Sequence, residues 1–511
     1  MGSAFDHSYK WDDRCRCASG TVRWAQYGWK GGGTMNTRRT LVAAAAFAAA
    51  IVAGRARAQE TQPAAGPPEE RYEELEKRVR TLEADAEREP KGLMLRIPGR
   101  PEWERPDLWM WPGFRAEETR DVLIGGATGL NVFMGVHSVG RFQWLEQDAE
   151  IRGSEAPDLE PAFQTAWGDL AFMVEVGDGD VIVFFDLYLS SRPHPSTTYG
   201  NEGYMLFRRI PDDSGVANAL NNAIFEHVNV KAGHFEIDFG DAHYRRSDNA
   251  WVSRNPLIGN YLVDPDVEEI GMEIFSKPHW PVKWLFGVTS GTTTENLNEG
   301  RGLASVHGKL WWDPVDDFRL SGSAYYVDHS DNPPSGAQGT SGRLFSSRRS
   351  GGPYGGVWGG GNSPGDLTIG ADELVTAFQV DATWSPGPWE FYGNLGWVED
   401  ADPNGSLPGK PTERWMYGAL ETVYFFNPRT YAAGRYSAAL ADDVKGSDSD
   451  GMIHRFQVGG GYWLMKNALV KAEYVYQFAE GFDEDDGLVA GVDVADDPTF
   501  NGILLEVSFK F

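Results

Sequence analysis

From about residue 120 to the end, apolar and polar residues alternate at period two over unusually long segments. In "VIVFFDLYLS", Val183, Phe185, Leu187 and Leu189 share one face, and Phe184, Asp186, Tyr188 and Ser190 the other. In "LVKAEYVYQF", Val470, Ala472, Tyr474, Tyr476 and Phe478 oppose Lys471, Glu473 and Gln477. In "HRFQVGGGYWL", Phe456, Val458, Tyr462 and Leu464 oppose Arg455 and Gln457, and in "TYAAGRYSAAL", Ala432, Tyr436, Ala438 and Leu440 oppose Arg435 and Ser437. The chain stops on "NGILLEVSFKF", where Phe511, Phe509, Val507, Leu505 and Ile503 alternate with Lys510, Ser508 and Glu506, and Leu504 breaks the pattern. Period two is the signature of strands. Globular strands run about 5–6 residues. A tilted strand that crosses a membrane needs about 9–11, and these segments match that length.

About 16 such strands fit between residue 120 and the end, joined by connections that alternate between short and long. "SPGP", "FNPRT" and "KNA" are short, whereas 328–370, 400–412, 441–451 and 479–498 are long. The expected fold is all-β: a transmembrane antiparallel β-barrel of about 16 strands, tight turns at one end and long loops at the other. A soluble sandwich, the competing all-β fold, predicts shorter strands and a plainly apolar core. In a barrel, Phe511, Phe509, Val507, Leu505 and Ile503 of the closing strand face lipid, and Lys510, Ser508 and Glu506 face the lumen. Leu504 then sits on the wrong face, near a barrel end where the lumen is plugged. The aromatic pairs Trp311–Trp312, Tyr325–Tyr326 and Phe425–Phe426 near strand ends are expected to form interfacial girdles.

The N-terminal part reads differently. Residues 35–58, "MNTRRTLVAAAAFAAAIVAGRARA", have a basic start, an apolar run and an A-x-A site, the three parts of a secretory signal peptide. Residues 1–34 are then a misassigned upstream extension. Residues 59–68 are a Pro/Ala linker. In residues 69–89, Tyr72, Leu75, Val79 and Leu82 form a heptad stripe, expected as a short periplasmic coiled coil. Residues 90–119 are a Pro/Trp-rich connector, and 120–511 the outer-membrane barrel.

Composition narrows the function classes. Of 511 residues, 13% are aromatic and 61 are Gly, which favours strands and turns. The net charge of −28 excludes a nucleic-acid partner, which needs a basic patch. Residues 1–58 hold 9 Lys and Arg, 3 Asp and Glu, and both cysteines, so their removal leaves a cysteine-free chain at −34. No G-x-S-x-G, H-E-x-x-H or P-loop occurs, and "GGATG" at 125–129 lacks a following helix pattern. The acidic runs "DVKGSDSDG" and "FDEDDG" lack calcium-loop spacing. No enzyme, metal or cofactor is expected.

Residues 224–265, "IFEHVNVKAGHFEIDFGDAHYRRSDNAWVSRNPLIGNYLVDP", carry a resemblance. Lys231, Gly233, Phe235, Phe239 and Gly240 resemble the K/R-x-G-x-F run and following FG of the phosphate-selective porin O/P family. The resemblance implies an outer-membrane porin, a homotrimer, and a terminal aromatic residue read by the outer-membrane assembly machinery. The partners are then membrane lipid and small solutes or ions. Lys231, Asp241, Arg245, Arg246, Asp248, Arg254, Arg208 and Arg209 are the candidate pore-lining or constriction residues, with Arg245 and Arg246 facing Asp241 and Asp248 across the lumen. Arg343, Arg348 and Arg349 form a second basic cluster. The family likeness points to anions or phosphate, the acidic balance to cations or neutral solutes. A barrel that anchors the envelope through its coiled coil is the alternative to passive diffusion.

Overall fold

The computed structural model describes residues between Val122 and Lys510, except 128, 152–153, 178, 191–197, 213, 247–252, 264–267, 279, 292–304, 316, 329–353, 360–373, 402–412, 444–450, 466 and 483–493. The signal peptide, the linker, the coiled-coil stripe of Tyr72, Leu75, Val79 and Leu82, the connector, Asp248, the cluster of Arg343, Arg348 and Arg349, and Phe511 lie outside the described residues.

Among the described residues, eighteen strands belong to one sheet. They are β1 (Val122–Ala127), β2 (Leu130–Ile151), β3 (Ser154–Glu155), β4 (Ala162–Val176), β5 (Val181–Ser190), β6 (Thr198–Phe207), β7 (Val228–Glu236), β8 (Glu268–Ser276) and β9 (Val282–Thr289). The second half comprises β10 (Ser305–Val315), β11 (Phe318–Asp328), β12 (Leu374–Trp384), β13 (Trp389–Ala401), β14 (Glu413–Asn427), β15 (Thr430–Asp443), β16 (Met452–Met465), β17 (Ala468–Glu480) and β18 (Val494–Lys510). Each pairs with its neighbour antiparallel, and β18 closes the ring on β2, with Lys510 opposite His137 and Glu506 opposite Arg141. The wall is a closed barrel of sixteen strands, β2 and β4 to β18. β1 is a short hairpin partner of the first residues of β2, and β3 pairs with its last. Of "GGATG", Gly125 to Ala127 thus end β1, and Gly129, just before β2, is in the left-handed region that glycine favours.

Tight turns join β4–β5, β8–β9, β10–β11, β12–β13, β14–β15 and β16–β17 at one end. There the β6–β7 connection carries the one-and-a-half-turn helix α1 (Gly215–Leu220), which Ser214 caps by accepting from the Ala217 N–H at 3.2 Å. The long connections are at the other end.

The alternating pattern sets the two faces. On β18, Ile503, Leu505, Val507 and Phe509 are exposed outward, and Glu506 and Ser508 are buried inward. Outward aromatics stack at the tight-turn end, as in Trp384 on Phe391 and Trp389 on Phe391. The three sequence-expected girdle pairs split: Trp312, Tyr326 and Phe426 face outward, but Trp311, Tyr325 and Phe425 are buried inside. Adjacent strand residues point to opposite faces, so only one of each pair can join a girdle.

The interior differs from a simple polar channel. A buried apolar cluster joins wall residues such as Met173, Phe184, Phe275, Trp415 and Leu504 to the loop residues Phe239, Ile258, Leu262, Tyr354 and Trp358. Leu504, the pattern-breaker, is part of that cluster. Within strands, Gly233 and Gly502 have φ of 143° and 153°, and a Cβ at either would collide with the backbone of the paired strand.

Among the described residues, no helix is long and apolar enough to cross a membrane. Among the described residues, each of the sixteen wall strands pairs on both sides, so the wall carries its apolar outer belt without an open edge of its own. The protein is located in the outer membrane.

Candidate constriction site

The connection from β7 to β8 turns inward and lies against the inner wall. Its described parts are residues 237–246 and 253–263. Ile237 and Phe239 enter the interior cluster, and Gly240, at φ 69°, turns the chain. The Gly240 N–H donates to Ser323 Oγ at 3.0 Å, and its carbonyl accepts from Lys309 Nζ at 2.8 Å. Lys309 on β10 also binds Asp238 at 2.7 Å and Asp241 at 2.9 Å. Asp241 accepts from Ser321 Oγ of β11 at 2.9 Å.

A single 3-10 turn, Ala242–Tyr244, then delivers two arginines. Arg245 donates to Glu421 of β14 at 2.6 Å and to Glu390 of β13, with its guanidinium 5.0 Å from the Tyr392 ring centre. Arg246 reaches Glu236 at 3.3 Å. His243 Nδ1 lies 3.1 Å from the same carboxylate. Burial nevertheless pushes the His243 imidazole down to about 4, helped by the cations Lys309 and Arg246 and opposed by Asp238. The ring is therefore neutral at physiological pH.

The second part holds the loop tip, "NPLIGN", residues 255–260. Asn255 folds it locally: its side chain accepts from the Leu257 N–H at 3.1 Å and donates to the Gly259 carbonyl at 2.9 Å, an Asx turn ahead of Pro256. The wall then grips the backbone. Glu473 of β17 accepts from the N–H groups of Ile258 at 2.6 Å and Gly259 at 2.9 Å. Arg435 of β15 donates to the Gly259 carbonyl at 2.8 Å and to Asn255 Oδ1 at 2.7 Å. Lys471 donates to the Leu257 carbonyl at 2.8 Å, and Arg455 to that of Asn260 at 3.3 Å. Glu421 ties both parts together, since it accepts from Arg245, from Arg435 at 2.5 Å and from Tyr261 Oη at 3.1 Å.

The described candidate residues fall into three groups. Asp241, Arg245, Arg246 and Arg254 share the inward loop. Lys231 points into the lumen from β7, paired with Glu273 of β8 and packed over the Tyr204 and Phe235 rings. Arg208 and Arg209 sit past the end of β6, where their N–H groups donate to the Asp180 carbonyl at 2.8 and 3.1 Å. They belong to the tight-turn end, away from the loop. Arg245 is held by Glu390 and Glu421 of the wall, Arg246 reaches Glu236 of β7, and Asp241 pairs with Lys309 of β10.

Sequence reasoning did not single out Lys309, Glu390, Glu421, Arg435, Arg455 and Glu473 as partners of the loop. Four of these positions lie on β14 to β17, at inward positions of the alternating strands. That phase was the only available signal, because the pairings span up to 215 positions along the chain.

No family model matches the chain, and no curated protein matches it. Among solved structures, it is similar to OmpT, an outer membrane protein of Vibrio cholerae, at 10% identity, TM-score 0.46, covering 76% of this chain and 99% of that one. The outer membrane channel DcaP of Acinetobacter baumannii matches at 12% identity, TM-score 0.45, over 76% and 100% of the two chains. An anion-selective porin from Comamonas acidovorans matches at 10%, TM-score 0.46, over 75% and 100%.

Proposed function

We propose that the chain is an outer-membrane porin that lets small hydrophilic solutes diffuse passively, with the β7–β8 loop as its constriction. The observation that carries this reading is a loop clamped along the inner wall of a sixteen-strand barrel. Barrels of about 16 strands are wide enough to leave an aqueous channel. A loop laid inside narrows that channel to a selective passage.

Selectivity toward cations or neutral solutes fits the inner wall better than selectivity toward anions or phosphate. The inward cations are engaged: Arg141 and Lys471 with Glu506, Lys231 with Glu273, Lys309 with Asp238 and Asp241, Lys283 and Arg319 with Asp313, and Arg435 with Glu421. A basic ladder for anions needs cations whose charge is not cancelled by neighbours. A homotrimer, clamped by the heptad stripe of residues 69–89, belongs to the same proposal.

Purified protein in a planar bilayer is expected to pass current in discrete steps, with a reversal potential of cation sign under a KCl gradient. A protein that inserts but carries no current at any voltage sinks the porin reading. An anion-sign potential overturns the selectivity alone. Deleting residues 69–89 is expected to lose the trimer and keep conductance.

A further inference from the structure

A second segment also enters the barrel. Residues 354–359, "YGGVWG", belong to the longest connection, that between β11 and β12. They lie on β2, β17 and β18. Gln143 of β2 clasps Gly355 at two points: its amide donates to the Gly355 carbonyl at 2.8 Å, and its carbonyl accepts from the Gly355 N–H at 3.0 Å. Further along the same face of β2, Gln147 accepts from the Trp358 N–H at 2.7 Å. Tyr354 and Trp358 both pack on Phe500 of β18, with ring centres 5.3 and 5.8 Å away. Trp358 has φ 54°, a left-handed conformation that a bulky side chain adopts only when its surroundings impose it. Its side chain is buried, so docking holds the strained residue in place.

The segment meets the inward loop at one wall carboxylate. Glu473 Oε1 accepts from Tyr354 Oη at 2.6 Å, while its Oε2 accepts from the Ile258 and Gly259 N–H groups. Gln457 donates to the same hydroxyl at 2.8 Å. Gly259 has no room for a Cβ, which would collide with the Tyr354 hydroxyl and the Gln457 amide. The loop tip and Tyr354 therefore occupy adjoining space and share one acceptor.

We infer that residues 354–359 form an inward strap that fixes the tip of the β7–β8 loop through Tyr354 and Glu473, and so sets the width of the passage. Tyr354 acts as a positioning residue. Its hydroxyl orients the carboxylate whose other oxygen holds the loop backbone, and its ring blocks the tip from moving toward β18. The width part of this inference rests on the porin reading.

The test uses the full chain refolded in lipid, with Tyr354→Phe and Tyr354→Ala. Two quantities are read: hydrogen exchange of the amides in residues 255–262, and single-channel conductance. Loss of a buried hydrogen bond and its ring is expected to speed exchange at the Ile258 and Gly259 amides about tenfold or more in Tyr354→Ala. Tyr354→Phe should shift exchange less, in the same direction. Amides of Gly418 to Leu420 in β14 are expected to stay slow, which shows an intact barrel. Conductance steps should become larger and noisier with Tyr354→Ala. Unchanged exchange over 255–262 overturns the strap. Faster exchange with unchanged conductance overturns its control of width. Faster exchange in a protein whose parent carries no current upholds the strap and sinks the porin reading instead.

Discussion

Leu420 and Glu421 are neighbours on β14 that live in different solvents. Leu420 is 69% exposed on the outer face, and Glu421 is 2% exposed inside, holding Arg245, Arg435 and Tyr261. The outer face asks only that a side chain be apolar, because lipid packs against any shape. The inner face asks for particular partners, because each buried charge must be matched in place. One strand thus carries a loosely specified face and a tightly specified one, and substitutions should separate them.

The largest effect is expected on the inner face. Arg435→Met removes two bonds to the loop and leaves Glu421 without its closest cation. Breaking a buried pair by removing one partner costs about 3–5 kcal/mol. Urea unfolding in lipid vesicles should show that loss. A loss below about 1 kcal/mol, the range of exposed pairs, would mean that water reaches the site.

A cleaner contrast uses two adjacent leucines. Leu504 is fully buried in the interior cluster, whereas Leu505 is 47% exposed toward lipid. Leu504→Ala should cost about 2–5 kcal/mol through lost burial and a cavity. Leu505→Ala should cost well below that in the same unfolding assay. Equal costs would mean that the interior around Leu504 is loosely packed.

This pair also marks where the sequence stopped being readable. Alternation exposes which residues share a face, so the strands, their number and the lipid-facing side of β18 are legible. For the other side, alternation marked Leu504 as an inward apolar residue in an otherwise polar row, but not what it packs against. The reason is non-local: Tyr354 and Trp358, some 150 positions earlier, are what make that part of the lumen apolar. The same holds for the girdle pairs, where composition located Trp311 and Trp312 but phase decided their sides. At the site, the loop segment itself was legible from its polar mixture after a strand. Its partners were not, since Glu473 and Ile258 meet only once the barrel has closed. The strap left a faint trace, two aromatic residues set in a glycine run, which reads equally as a solvated loop.

The lipid face can be broken by charge. Leu420 is near the centre of β14. An arginine at the bilayer midplane of a barrel costs about 2–4 kcal/mol. Leu420→Arg should therefore destabilise the protein in vesicles, and the penalty should shrink in detergent micelles, where water is closer. The same penalty in both would place residue 420 near an interface and move the belt.

The smallest effect concerns a lysine at the margin between these two settings. Lys309, inside, has Asp238 and Asp241 as partners. Lys277, just beyond β8 at the tight-turn end, binds the Arg208 carbonyl at 3.1 Å and Asn229 Oδ1 at 2.5 Å, both uncharged. Partial burial, with the nearby Arg208 charge, pushes its amine down to about 8, against the pull of Asp180. The folded value lies below the unfolded one, so the cost of carrying the charge is in force below pH 8. It fades as pH rises toward the ordinary lysine range of about 10.4, and stability rises over that window. After reductive methylation with a carbon-13 label, one lysine resonance should titrate near pH 8 and vanish in Lys277→Arg. If every resonance titrates near the ordinary value, the turn is solvated, and neutral acceptors there do not hold the amine away from water.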